Sequence, residues 1–110
     1  MAQKGQLNFV FADGNLSADG YETLTVTNLC ETVANLTFDI YFCDRAPVKG
    51  LTCTVEAERV NCFRLDEPFS DQKYKIPYGR YSLVLHSDIP VVAVMSRREA
   101  GGYSVQGYTY

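Results

Sequence analysis

The chain has 110 residues, a net charge of −3, 46% apolar residues and 21% charged ones. That composition argues against disorder and allows one core burying roughly 60–70% of the surface an unfolded chain exposes, so residues 1–110 read as a single domain. The acidic balance, with no basic run longer than Arg97-Arg98, argues against a phosphate-seeking nucleic-acid surface.

The opening MAQKGQLNFVFADG has no apolar stretch of signal-peptide length, and no later segment has the length of a membrane-spanning helix. The expectation is a cytoplasmic protein with no membrane insertion and reduced cysteines. Leu7, Phe9 and Phe11 share one face of a first strand, LNFVF. Next, ETLTVTN alternates Leu24 and Val26 with threonines. NLTFDIYFC sets Leu36, Phe38, Ile40 and Phe42 against Thr37, Asp39, Tyr41 and Cys43, and LTCTVE repeats the pattern through Leu51, Cys53 and Val55. ERVNCFRL follows, and then the longest irregular stretch, residues 66–79, rich in charge, proline and aromatics.

YSLVLH resumes the alternation, with Tyr81, Leu83 and Leu85 on one face and Ser82, Val84 and His86 on the other. A Ser-Asp turn and Pro90 then open an apolar run, residues 89–95, which reads as a strand covered on both faces. YSVQGYTY ends the set. No stretch keeps a 3.6-residue apolar period, and Asp-Gly, Gly-Gly and proline turns punctuate the runs. The fold class is therefore all-β: an antiparallel β-sandwich of about eight short strands in two sheets.

Chemical motifs are sparse. His86 is the sole histidine, and no nucleophile elbow, phosphate loop or paired-histidine metal motif is present, so neither catalysis, a cofactor nor a metal is expected. Cys30, Cys43, Cys53 and Cys62 form no Cys-x-x-Cys pair and read as small buried hydrophobes. The eight tyrosines gather late in the chain, Tyr103, Tyr108 and Tyr110 among them, and suit interfaces, edge cover or flat polar ligands. Alternation sends Arg97 and Arg98 to opposite faces, so one faces solvent while the other reaches for a carboxylate, a partner or an anionic ligand.

Taken in order, ETLTVTN, DIYFCDRAPVKGLTCTVEAERVNCFRLDE and IPYGRYSLVLHSDIPVVAVMSR resemble the sensory rhodopsin transducer family. The carrying pieces are Glu22-Thr23, Ile40-Tyr41 with Asp44 and Pro47, the charged strand from Arg59 to Arg64, and Ser87-x-Ile89-Pro90-Val91-Val92 running on to Arg97. Ala12-Asp13-Gly14 resembles the family's Ala-acid-Gly at the end of its first strand. The chain departs from the family in lacking a tryptophan and in carrying Glu58 where the family has an arginine. The resemblance implies a small β-sandwich, a homotetramer, and a non-catalytic module binding a sugar or related metabolite in signalling, with a membrane receptor or regulator as partner. It also implies that Asp13, Glu22, Arg59 and Arg97 line a pocket or subunit junction. The alternative is an adaptor or transcription-linked regulator without a small-molecule ligand, docking through a sheet edge or the 66–79 loop.

Overall fold

The computed structural model describes residues 4–99, 102–106 and 108–109, with side chains for residues 4–98. The described residues form eight strands: β1 (Gln6–Leu16), β2 (Gly20–Asn28), β3 (Ala34–Phe42), β4 (Val48–Val55), β5 (Arg59–Arg64), β6 (Gly79–Glu99), β7 (Gly102–Gln106) and β8 (Tyr108–Thr109). No helix among them is long and apolar enough to cross a membrane. The all-β expectation holds, with one difference of construction. YSLVLH and the apolar run after it are not separate strands but the two limbs of β6, 21 residues long.

All pairings are antiparallel, and β6 sits at their centre. Its first limb pairs with β3 from Tyr81 to Ser87 and with β1 on the other side. Its second limb pairs with β2 from Val92 to Glu99 and with β7. One half of the sheet thus runs β4-β3-β6-β1-β8 and the other β5-β2-β6-β7, joined through one strand and curled over a shared core. Ser87-Asp88-Ile89-Pro90 is the corner where β6 leaves β3 and takes up β2. A proline is tolerated there because the ladder changes partner. Asp88 pins the corner to β3, accepting from the Asn35 backbone and side-chain amides, each at 2.8 Å.

The curl follows from two contacts. Tyr81 and Arg97 lie sixteen positions apart on β6, about 50 Å along a straight strand. The longest dimension of the whole molecule is 41 Å, and both side chains reach the same carboxylate. The strand must fold back.

Alternation predicts the core well. Phe9, Phe11, Leu24, Val26, Leu36, Phe38, Ile40, Leu51, Leu83 and Leu85 are buried, and Phe38 meets Phe63 and Phe69 edge-on across the halves. The apolar run of β6 departs from its expected double cover: Val91, Ala93 and Met95 face the core, but Val92 is 47% exposed. The outer face of this half is only partly covered among the described residues, with Val60 at 59% and Val92 at 47% exposure. The cysteines differ as well. Cys53 is buried, Cys30 is partly covered, and Cys43 and Cys62 are exposed. Cys43 lies just past the end of β3, and Cys62 points to the outer face of β5 opposite Thr25. The 66–79 stretch is irregular as expected, yet it gives Phe69 and Ile76 to the core and fastens to β4 through Asp71 and Gln72. YSVQGYTY divides into β7 and β8, with β8 pairing along β1; Tyr110 and the side chains of Tyr103 and Tyr108 lie outside the described residues.

Candidate functional site

Glu22 is the centre of the polar cluster. It falls on the inward row of β2 with Leu24 and Val26, and it is 1% exposed. A buried carboxylate is strongly disfavoured unless its oxygens are met by donors. Three groups meet these. Arg97, directly opposite on β6, donates from Nε to Oε2 at 2.7 Å. The Tyr81 hydroxyl donates to Oε1. The Asn15 backbone N–H is shared between both oxygens at 3.1 and 3.2 Å. Burial first, and then the Glu22 charge, push the Tyr81 phenol well above its usual range, so it stays a donor.

Asp13 reaches the cluster through a β-bulge. Phe11 faces Leu83 and Gly14 faces Tyr81, so Ala12 and Asp13 together oppose Ser82. Such an extra residue bends the strand and re-aims a side chain, and here the Ser82 hydroxyl holds the bulge by donating to the Ala12 carbonyl at 3.0 Å. The bulge gives Arg97 a second anchor, the Asp13 carbonyl, which accepts from Nη2. The Asp13 carboxylate stays outside, 64% exposed, 3.6 Å from Arg97 Nη1 and 3.4 Å from Arg80 Nη1. Gly14 is required next to it, because a Cβ there would overlap the ring carbons of Tyr81.

Beside this group lies an open depression of about 300 Å³, lined by Ala12, Gly14, Tyr41, Phe42, Arg80 and Ser82 among others. That is the lower end of the size range for small-ligand sites.

Of the four positions singled out from sequence, Asp13, Glu22 and Arg97 come together and Arg59 does not. Arg59 faces Asn28 at the other end of β2, about 20 Å from Glu22 along the strand, and donates to the Glu58 carbonyl at 3.1 Å. Arg98 is exposed on the opposite face from Arg97, as alternation requires. His86 is exposed, its Nδ1 2.7 Å from Asn8 Oδ1. Sequence reasoning passed over Tyr81 and Arg80. Tyr81 did leave a signal: a hydroxyl on a face shared with Leu83 and Leu85 has to find a buried partner.

The family model for the Anabaena sensory rhodopsin transducer matches residues 5–107. The chain belongs to that family. Among solved structures, the Anabaena sensory rhodopsin transducer is similar at 26% identity and a TM-score of 0.72, covering 84% of this chain and 97% of its own. A Thermotoga maritima protein, known by its crystal structure as 1070, shares the fold at 24% identity and a TM-score of 0.77, covering 96% of this chain and 94% of its own. No curated protein sequence matches. Membership in the transducer family supports a signalling-type module, and both solved structures share the all-β fold described above.

Proposed function

We propose that this transducer-family chain is a non-catalytic signalling module that binds a small polyhydroxylated molecule, a sugar or related metabolite, where Asp13, Arg80 and Arg97 meet. One contrast carries the reading. Arg97 is held firmly by buried Glu22 at 2.7 Å, while its contact with the exposed Asp13 carboxylate is loose at 3.6 Å. A hydroxyl fits between such partners, donating to the acid and accepting from the guanidinium. Glu22 has both oxygens occupied and acts by fixing Arg97, so Asp13, Arg80 and the Asp13-facing side of Arg97 are the groups that touch ligand. Binding would favour one arrangement of subunits over another and so change what the assembly contacts.

The assembly in this reading is a cytoplasmic homotetramer, as the family resemblance implies, answering to a membrane receptor or a regulator. The outer row Val60–Thr27–Val92, uncharged and with both valines about half exposed, supports subunit contact on that face. Light scattering on the eluting protein should give the mass of four 12.3 kDa chains; a monomer at high concentration would remove the assembly from the proposal. For the site, isothermal titration with a panel of sugars and nucleotides should find a sugar whose affinity drops at least tenfold in Asp13→Asn. Equal affinity in Asp13→Asn and Arg97→Lys would place the ligand elsewhere.

A further inference from the structure

A second cleft, of about 410 Å³, lies between β4 and β5 and is walled by the loop from Glu67 to Lys73. That volume is ample for a small metabolite. Both strands are edges: among the described residues β4 pairs only with β3, and β5 only with β2. Leu65 N–H donates to the Glu22 carbonyl at 3.0 Å, which makes that pair a hydrogen-bonded one. By antiparallel alternation Phe63 and Asn61 then bond to β2, and Cys62 between them turns both its N–H and its C=O away from β2, on the side of the cleft it lines. Neither group has a backbone partner among the described residues. Ser70 lines the same cleft. It is only 7% exposed, sits at φ 72°, and its hydroxyl has no hydrogen-bond partner among the described residues. Buried hydroxyls normally have one, and a hydroxyl that bonds to nothing loses nothing by turning toward a ligand.

The charges on the lining narrow the ligand's chemistry. Arg64 is spent on Asp66, at 2.8 and 2.6 Å. Glu67 and Lys73 make no ion pair among the described residues, so the cleft holds a carboxylate and an ammonium that do not neutralise each other. Asp71 adds a second carboxylate, of which Oδ2 accepts from the Thr52 hydroxyl at 3.1 Å. The complement is a molecule that carries both signs itself, with positive charge in excess. Glu67 also has a defined place: its N–H donates to the Arg64 carbonyl at 3.3 Å, which sets it beyond the C=O end of Cys62.

We propose that this cleft binds a free α-amino acid, a basic one in preference, paired to the edge of β5 at Cys62. The ligand's ammonium donates to the Cys62 carbonyl and its carboxylate accepts from the Cys62 N–H, as the N–H and C=O of one added strand residue would. The ammonium then lies on the Glu67 side, and the carboxylate takes the Ser70 hydroxyl and Lys73 from the loop. Such charge-assisted bonds are shorter and stronger than neutral ones. A cationic side chain finds Asp71, whereas an acidic one adds a third carboxylate to the two already there. A longer peptide loses the match, because only a free amino acid carries both charged termini on one residue. This site is separate from the Asp13 cluster and does not depend on it.

The test is isothermal titration of the full-length protein with each common amino acid at millimolar concentration. Lysine or arginine should bind, and aspartate and glutamate should bind about tenfold more weakly or not at all. Nα-acetyl-lysine lacks the α-ammonium and lysine amide lacks the carboxylate, so each should lose about tenfold against lysine. Glu67→Gln and Lys73→Gln each remove one charge from an exposed side chain, which leaves the fold intact, and each should weaken lysine binding about tenfold. Asp13→Asn should leave it unchanged. The proposal is overturned if no amino acid binds, if the blocked forms bind as tightly as lysine, or if acidic amino acids bind best. It is equally overturned if both loop variants keep full affinity, or if Asp13→Asn abolishes binding.

Discussion

Glu22 shows how one residue type can be legible in place and illegible in role. Period two along β2 puts positions 22, 24, 26 and 28 on the core face, and both polar members are indeed buried, Glu22 at 1% and Asn28 at 0%. Asn28 resolves its burial partly within its own turn, through the Thr32 carbonyl and the Cys30 N–H, and partly through the Val55 carbonyl of β4. Glu22 resolves it with groups seven, fifty-nine and seventy-five positions away, and no local pattern reveals those. Removing one partner strands a buried charge. Arg97→Ala is expected to lower unfolding free energy by about 3–5 kcal/mol, measured by urea denaturation. Gly14→Ala is expected to cost about 1–3 kcal/mol by forcing the Tyr81 ring aside; a crystal structure of that variant should show the Tyr81–Glu22 bond broken or the bulge displaced.

At the scale of elements, alternation located nearly every strand because each has one buried face, and a slip of one residue would turn that face outward. It misplaced the corner of β6 for an equally physical reason. Ser87-Asp88-Ile89-Pro90 has the residues of a turn, and in isolation it would make one. Its fate was decided by neighbours: Asp88 is spent on Asn35, while Val91 and Val92 find β1 and β2 waiting. Which strand lies opposite which is likewise invisible to spacing, and so Arg59, grouped with the acids from sequence, stands at the far end of β2. Asp88→Ala removes two side-chain acceptors at the corner and should cost about 1–3 kcal/mol. Amide hydrogen exchange should then speed up at Asn35 and its neighbours while the centre of β2 keeps its protection.

Across the whole molecule, the buried titratable groups set the response to base. The Cys53 thiol, desolvated by the core and then disfavoured by Asp71, is pushed up from 9.0 to about 12. In the unfolded chain it ionises near 9, so folding holds a proton that unfolding releases. The stability this contributes is whole below pH 9 and declines as pH rises from there toward 12. Tyr81 adds a second loss above its ordinary value of 10.0. Denaturation midpoints should therefore fall steeply from pH 9 upward. Cys53→Ala should flatten the slope between 9 and 12, and Tyr81→Phe should flatten it above 10; an unchanged slope in both would mean other groups govern alkaline unfolding. The pairing of β1 with β6 and β8, near opposite ends of the chain, makes most contacts nonlocal. Folding is expected on the millisecond-to-second scale typical of such β topologies.

The fold-back of β6 also has a mechanical meaning. Its two limbs, each about 23 Å from the Asp88–Pro90 corner to Tyr81 or Arg97, work like the arms of tweezers whose tips grip one carboxylate. Opening the arms by about 5° would part the tips by about 2 Å, enough to trade a hydrogen bond for none. The angle at the corner therefore fixes the distance between Tyr81 and Arg97, and with it whether one carboxylate can meet both.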